Sequence, residues 1–497
     1  MNNKDILICG GGTAGWMAAH LMINAWPDAR IRLIESDHIG IIGVGEGSTP
    51  MLKTFFEKVN IKESEWMPAC NATYKVGINF VNWSERPDYQ SYFHPFFSEL
   101  DIKPAEPFFY NAKLQKAGVN AYAHPDHYFV TAEMARKFKA PKSTKYPDLD
   151  IDYGYHFDSG LLGAFLREKA IKSGLSHIVD DIESVNLDNL GRIQSVSTKC
   201  SGELKADLYV DCTGFRSLLL QQALAVPFNS YQENLFNDSA VTIATGIEHT
   251  LPVETKSTAL SAGWAWRIPL TNRFGNGYVY SSRYITEQEA EDELKAHLNI
   301  KESETVEVRH LKMKVGRVEQ HWYKNCLAVG LSQGFIEPLE ATALMLVQHT
   351  IEEFIEINND QTKDGLIAQQ EYNAQINKMM EGIRDYIVTH YVTNTRNDSL
   401  YWQDCRNAKK SSNLTELLEA WDNNENFETT LNKLDHELVY LRPSWYVLLM
   451  GVGRFTEQLI AEAPIDQPVF DHLKSKQYCQ QLVNDIFLSH RTYLQNL

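Results

Sequence analysis

The chain has 497 residues, 43% apolar and 22% charged, a balance typical of a globular protein with more than one structural region. Its formal net charge of -17 repels phosphate backbones and argues against nucleic acid as a partner. No run of about 18 apolar residues marks a membrane span, and MNNKDILICGGG carries no secretory leader, so a cytoplasmic protein is expected.

Residues 5–9, DILIC, form a short apolar run of the buried parallel-strand type. Gly10-Gly-Gly-Thr-Ala-Gly15 follows, then the helical run WMAAHLMINAW closed by Pro27, then a second strand, RIRLIE, ending on Glu35. This order is the start of a βαβ unit. Residues 155–173 are expected to be helical, with Asp158 as cap. The strand-like runs IVDDIESVNL, IQSVSTKC and LKADLYVDCTG come next, and 238–283 is rich in β-pattern, including GWAWRIP. After Pro338 the pattern turns helical, with Leu344, Val347, Ile351, Phe354 and Ile355 on one face. An Asn-rich stretch near 410–435 reads as a loop. Seven cysteines without CxxC spacing are expected to be buried reduced thiols, and no metal cluster is apparent. The domain boundary is placed near 340. Residues 1–340 are expected to be an α/β region with segments inserted at roughly 50–150, and residues 341–497 a mainly helical region that completes the substrate site.

Gly10, Gly12 and Gly15 fit the dinucleotide fingerprint G-x-G-x-x-G: a tight turn, a close approach by pyrophosphate, and close helix–strand packing. With Thr13 and Ala14 they open a helix whose N-terminus meets phosphate charge, and Glu35 is spaced for a ribose hydroxyl pair. VDCTG at 210–214 resembles the late strand-to-glycine turn of two-dinucleotide-type flavoproteins, which places Asp211 and Gly214 near FAD. CLAVG at 326–330 resembles the turn on the isoalloxazine side, ending at Gly330. No second fingerprint is present for a nicotinamide nucleotide, so the flavin is expected to be reduced elsewhere, or by transient binding that leaves no motif.

Several segments together resemble one family, the flavin-dependent halogenases of the tryptophan-halogenase type. GWAWRIP, with Trp264 and Trp266, is similar to that family's two-tryptophan signature. GVGEGSTP at 43–50, with Gly45 and Glu46, resembles its flavin-covering strap. NATYKVGINFVNW at 71–83 resembles the segment of its essential lysine, here Lys75. FIEPLEATA at 335–343 resembles the segment of its essential glutamate, here Glu340. IRDYIVTHY at 383–391 is also similar. The resemblance implies an α/β FAD-binding fold of the aromatic-hydroxylase-like kind, with added β-sheet and a mainly helical C-terminal region.

It also implies FADH2 supplied by a separate flavin reductase, oxidation of halide to hypohalous acid at the flavin, relay of that oxidant to Lys75, and electrophilic halogenation of a small electron-rich aromatic. The two tryptophans would wall the flavin from the substrate. Homodimers are common among such proteins, so a homo-oligomer is possible.

The residue patterns leave alternatives beside these roles. TYKVGINF alternates, which taken alone sets Lys75 on an exposed strand face. Glu340 in the first turn of a helix would be favourable with the dipole whether or not it is catalytic. Thr342 and Ala343 at that helix start would offer N–H groups to halide. Many members of the family read Glu-Ser-Thr-Gly where this chain reads Glu340-Ala-Thr-Ala343. Loss of the hydroxyl at Ala341 and of glycine at Ala343 suggests a halide larger than chloride. His94 and Phe96 resemble the segment that stacks on an indole. Tyr440 and Trp445 are substrate-side candidates at uncertain register, with helix core the equal alternative. The rival functions are a flavin aromatic hydroxylase or epoxidase, and a non-catalytic flavin-fold binding protein.

Overall fold

The computed structural model describes residues 1, 3–38, 45–149, 151–301, 303–360, 362, 365–455 and 468–497. The chain folds as two compact units, each assembled from three separate stretches. The first takes 1–72, 157–232 and 313–381; the second takes 73–156, 233–312 and 382–497. Residue 340 therefore falls inside the first unit's last stretch, and the division is not a single cut at that point.

The first unit is built on a six-stranded sheet in the order Trp322–Tyr323, Cys326–Ala328, Leu208–Asp211, Asp5–Cys9, Arg30–Glu35, Ser176–Val179. Its strands pair in parallel, except for the short antiparallel Trp322–Tyr323 at one edge. Ile6, Leu7, Ile8 and Cys9 are all fully buried, as continuous apolar runs in a covered parallel sheet must be. The helix Thr13–Ala25 packs on the helices Ser159–Lys172 and Ala343–Asn359. Ile182–Leu187, Ile193–Thr198 and Gly202–Leu204 form a separate antiparallel meander. Of the five apolar residues expected on one face of Ala343–Asn359, Leu344, Val347, Ile351 and Phe354 are buried, whereas Ile355 is only partly covered and Ile357 takes its place.

The second unit is built on a seven-stranded sheet: Val308–Lys312, Ser239–Thr245, Phe274–Tyr280, Gly263–Pro269, Thr255–Leu260, Gly77–Val81, Ser91–Pro95. All its pairs are antiparallel except Thr255–Leu260 with Gly77–Val81. Residues 155–157, expected to be helical, are strand: Gly154–Phe157 pairs with Thr73–Lys75, and the helix starts only at Ser159. Asp158 does cap it, accepting from the Leu161 N–H at 3.1 Å. The Asn-rich stretch is not a loop. Helices Ser412–Asp422 and Phe427–Leu434 occupy it, started by Ser411 and Asn426, whose side chains accept from Leu414 and Thr429. Polar residues at the caps and apolar ones such as Leu417 and Trp421 in the core explain why composition alone misleads there.

None of the seven cysteines, all described, forms a disulfide. Five are buried, Cys212 is half-buried and Cys200 is exposed, against the expectation that all would be buried. No described helix is long and apolar enough to cross a membrane.

Candidate active site

The glycine loop of the first unit has the geometry its fingerprint demands. Gly10 sits at φ 118, and a Cβ there would lie 2.2 Å from the Cys212 carbonyl oxygen. A Cβ at Gly15 would lie 2.0 Å from the Gly10 oxygen, whereas one at Gly12 would meet nothing within 4 Å. Turn, open approach and tight packing are thus divided among the three glycines as pyrophosphate binding requires. The first helical hydrogen bond is Trp16 N–H to Gly12 oxygen, so the N–H groups of Thr13, Ala14 and Gly15 precede the intrahelical ladder and suit an anion.

Glu35 ends its strand beside this loop, held by His177 at 2.8 Å and Arg167 at 3.4 Å. Its Oε2 lies 1.6 Å from where a Gly11 Cβ would be. The middle glycine is therefore also required, which the three-glycine pattern does not predict. On the other side a Cβ at Gly330 would meet the Ala14 methyl at 2.8 Å, and the turns Gly214–Arg216 and Gly330–Ser332 pack together. These residues fit a flavin dinucleotide.

Asp211 serves the same region indirectly. Its carboxylate accepts from Thr213 N–H and hydroxyl, and from the N–H groups of Leu219 and Leu220, at 2.6 to 3.0 Å. Burial pushes its carboxyl up, opposed by these bonds. What it supplies is the shape of the turn through Gly214. In the segment 43–50, residues 43 and 44 lie outside the described residues. Gly45 has φ 101, and burial raises the Glu46 carboxyl to about 7 against a hydrogen bond from Ser159.

Lys75 belongs to the second unit and is 0% exposed, so the alternation that would expose it does not hold. The run 74–80 is not one strand. Val76 breaks it, giving its N–H to the Val253 oxygen and its oxygen to the Phe96 N–H. Thr73–Lys75 turns away to pair with Gly154–His156. Lys75 stands opposite Gly154. Its Nζ lies 5.2 Å from the centre of the Phe96 ring.

Glu340, in the first unit, is 3% exposed. It closes a 3-10 turn, Pro338–Glu340, and Ala341 then takes a left-handed conformation, φ 57. The helix starts only at Ala343, with Thr342 as N-cap. Glu340 is thus ahead of the helix rather than in its first turn. The demand for backbone freedom falls on Ala341 rather than Ala343, which is right-handed helix. The first helical donor is Leu346, bonding to the Thr342 oxygen, so the N–H groups at Thr342 and Ala343 precede the ladder.

The aromatic candidates lie in the second unit. Cross-strand register sets Trp266 between Ser257 and Gly277, and Trp264 between Ala259 and Val279, with Ile78 and His94 on the same sheet face. The two indoles are 6.1 Å apart. His94 is buried, and its Nε2 meets the Tyr386 hydroxyl at 2.8 Å, which itself donates to the Ser444 oxygen. Tyr440 stacks on Tyr386 at 3.6 Å, and Trp445 meets it edge-on at 5.0 Å while donating to the Tyr440 oxygen. His94, Tyr440 and Trp445 are therefore joined through Tyr386. That residue stands in the quoted run 383–391, but helical periodicity alone gives no reason to select it.

Residues 5–464 match the tryptophan halogenase family. The chain is 37% identical over 449 residues to the tryptophan 6-halogenase SttH of Streptomyces toxytricini, covering 84% of each chain. It is 36% identical over 482 residues to the 7-chloro-L-tryptophan 6-halogenase KtzR of Kutzneria sp. (strain 744), covering 90% of each. The SttH crystal structure superposes with a TM-score of 0.86 at 35% identity, over 99% of this chain and 100% of that one. BrvH, a flavin-dependent halogenase from Brevundimonas sp. BAL3, superposes with a TM-score of 0.84 at 28% identity, over 100% of both. The glycine cradle, the FAD-type sheet and these matches agree: the chain is an enzyme and belongs to the tryptophan halogenase family of flavin-dependent halogenases.

Proposed function

We propose that this enzyme halogenates tryptophan or a closely related indole, using FADH2 from a separate reductase, oxygen and a halide ion. Reduced FAD and oxygen supply the oxidising equivalent that turns halide into hypohalous acid. The glycine loop at 10–15, with Glu35, holds the dinucleotide. The start of the helix Ala343–Asn359, at Thr342 and Ala343, is where we place the halide. Lys75 receives the hypohalous acid. Its ammonium donates a hydrogen bond to the oxygen and makes that oxygen a better leaving group. A ring π electron pair bonds the halogen, the oxygen–halogen pair stays with oxygen, and the hydroxide so released takes a proton from the Lys75 ammonium and leaves as water; the proton then lost from the ring restores that ammonium. Glu340 orients the oxidant or accepts the ring proton, restoring aromaticity. Trp264 and Trp266 keep organic substrate from the flavin, and Phe96 gives the substrate an aromatic wall beside Lys75.

The observation that carries this reading is the complete burial of Lys75 against an aromatic ring. Lysines are almost never fully buried, and a reagent that must be kept from bulk water needs an amine shielded in this way. The test is mass spectrometry of products from tryptophan, indoles and phenols, with reductase, FAD, NADH and each halide in turn. A mono-halogenated indole product is expected. Hydroxylated or unchanged substrate under every condition would refute the reading, and a strong chloride preference would dispose of the larger-halide expectation drawn from Ala341 and Ala343.

A further inference from the structure

The strand that carries Lys75 is held by hydrogen bonds whose directions can be assigned. The Thr73 hydroxyl lies 2.7 Å from the Pro269 carbonyl oxygen. A carbonyl only accepts, so the single Thr73 proton goes there. The His156 Nδ1, 3.2 Å from the same hydroxyl oxygen, must then be the donor. A neutral imidazole with its proton on Nδ1 has a lone pair on Nε2, and the Thr255 hydroxyl at 2.9 Å donates to it. The chain runs one way: Thr255, His156, Thr73, Pro269. It starts on the strand beside the two-tryptophan strand and ends on the last residue of that strand.

Lys75 is two residues beyond Thr73 on the same strand face. It pairs with Gly154 while Thr73 pairs with His156. His156 is thus the diagonal cross-strand neighbour of Lys75, a separation long side chains bridge. Burial first, then the charges of Lys75 and His490, hold its imidazole well below the ordinary range, so it stays neutral. His490 repeats the pattern: its Nε2 accepts from the Tyr74 N–H at 3.1 Å and its Nδ1 donates to the Pro252 oxygen at 2.9 Å.

We propose that His156 is a positioning residue for Lys75: as the Nδ1–H tautomer it orients the Thr73 hydroxyl onto Pro269, fixing the lysine strand against the strand of Trp264 and Trp266. A protonated imidazole would lose the bond from Thr255 and set a second positive charge beside the amine. This inference rests on the proposed role of Lys75, and its test separates the two.

Thr73→Val keeps shape and removes the hydroxyl, whereas Thr73→Ser keeps the hydroxyl. Thr73→Val should lower kcat by roughly tenfold or more through misplacement of the amine. KM for the aromatic substrate should stay within about twofold, and Thr73→Ser should restore kcat. Equal kcat in the Val and Ser variants would overturn the proposal while leaving Lys75 itself untouched. A second measurement covers a misfolded Val variant. NMR of wild-type protein with isotope-labelled histidine, the His156 signal identified by its loss in His156→Asn, should show Nδ1–H and bare Nε2 between about pH 5.5 and 8. An Nε2–H pattern, or titration inside that window, would also overturn it.

Discussion

Gly12 and Gly15 share a residue type and a loop, yet substitution should separate them. The Cβ of Gly12→Ala enters open space, so the fold should keep its melting temperature while FAD affinity drops by roughly tenfold, about 1.4 kcal/mol. The Cβ of Gly15→Ala strikes the Gly10 carbonyl and should cost about 1–3 kcal/mol of stability. FAD titration beside thermal melts of both variants checks this; a Gly12→Ala protein that binds FAD normally contradicts the cradle.

Glu46 makes a prediction in pH. Its carboxyl rises from an ordinary 4.5 to about 7 because it is desolvated, so the fold favours the protonated form. As pH climbs from 4.5 through 7 the native state must carry a charge it disfavours, and stability falls across that window. Glu46→Gln escapes this, so its melting-temperature advantage over wild type should grow between about pH 4.5 and 8. An advantage independent of pH would show that the shift is absent.

Elements show which parts of the site sequence patterns disclose. The βαβ start is fully legible, because its steric demands are local: strand, turn, helix and acid follow one another within 31 residues of Asp5. The lysine strand is not legible, because its burial comes from Gly154–His156, some 80 positions away, and period-two alternation cannot see a partner on the second face. Tyr386 is hidden for the same reason: its stacking on Tyr440 joins the helix Gly365–Val392 to a bend just ahead of the helix Arg442–Gly451. The two-tryptophan strand lies between these cases. GWAWRIP tells that the indoles share a face, but the room for Trp266 is made by Gly277 across the sheet, where a Cβ would lie 2.2 Å from the indole's six-membered ring. Gly277→Ala should therefore displace Trp266 and cost about 1–3 kcal/mol. In a Trp266→Phe background the smaller ring should recover roughly 1 kcal/mol of that cost. Additive effects in this double-mutant cycle would contradict the packing.

At the scale of the whole molecule, apolar patterning yields the βαβ start and the late turn to helix, the FAD-binding fold class comes from the family resemblance, and the chain supplies each compact unit from three separate stretches. Composition along the chain reports the change from strand to helix, and that change does not follow the division into units. What gathers residues as distant as Lys75, Thr255, Pro269 and His490 is sheet register and hydrogen bonding, set by tertiary contacts. The central claim for the whole enzyme is that halide oxidation and ring halogenation are separate events joined by one buried amine. Lys75→Met, close in length and without charge, tests it most directly when supplied with FADH2, oxygen, halide and tryptophan. The account predicts FAD binding and oxygen-dependent flavin oxidation like the wild type, with no halogenated product by mass spectrometry. Halogenated tryptophan formed by that variant at the wild-type rate would contradict it.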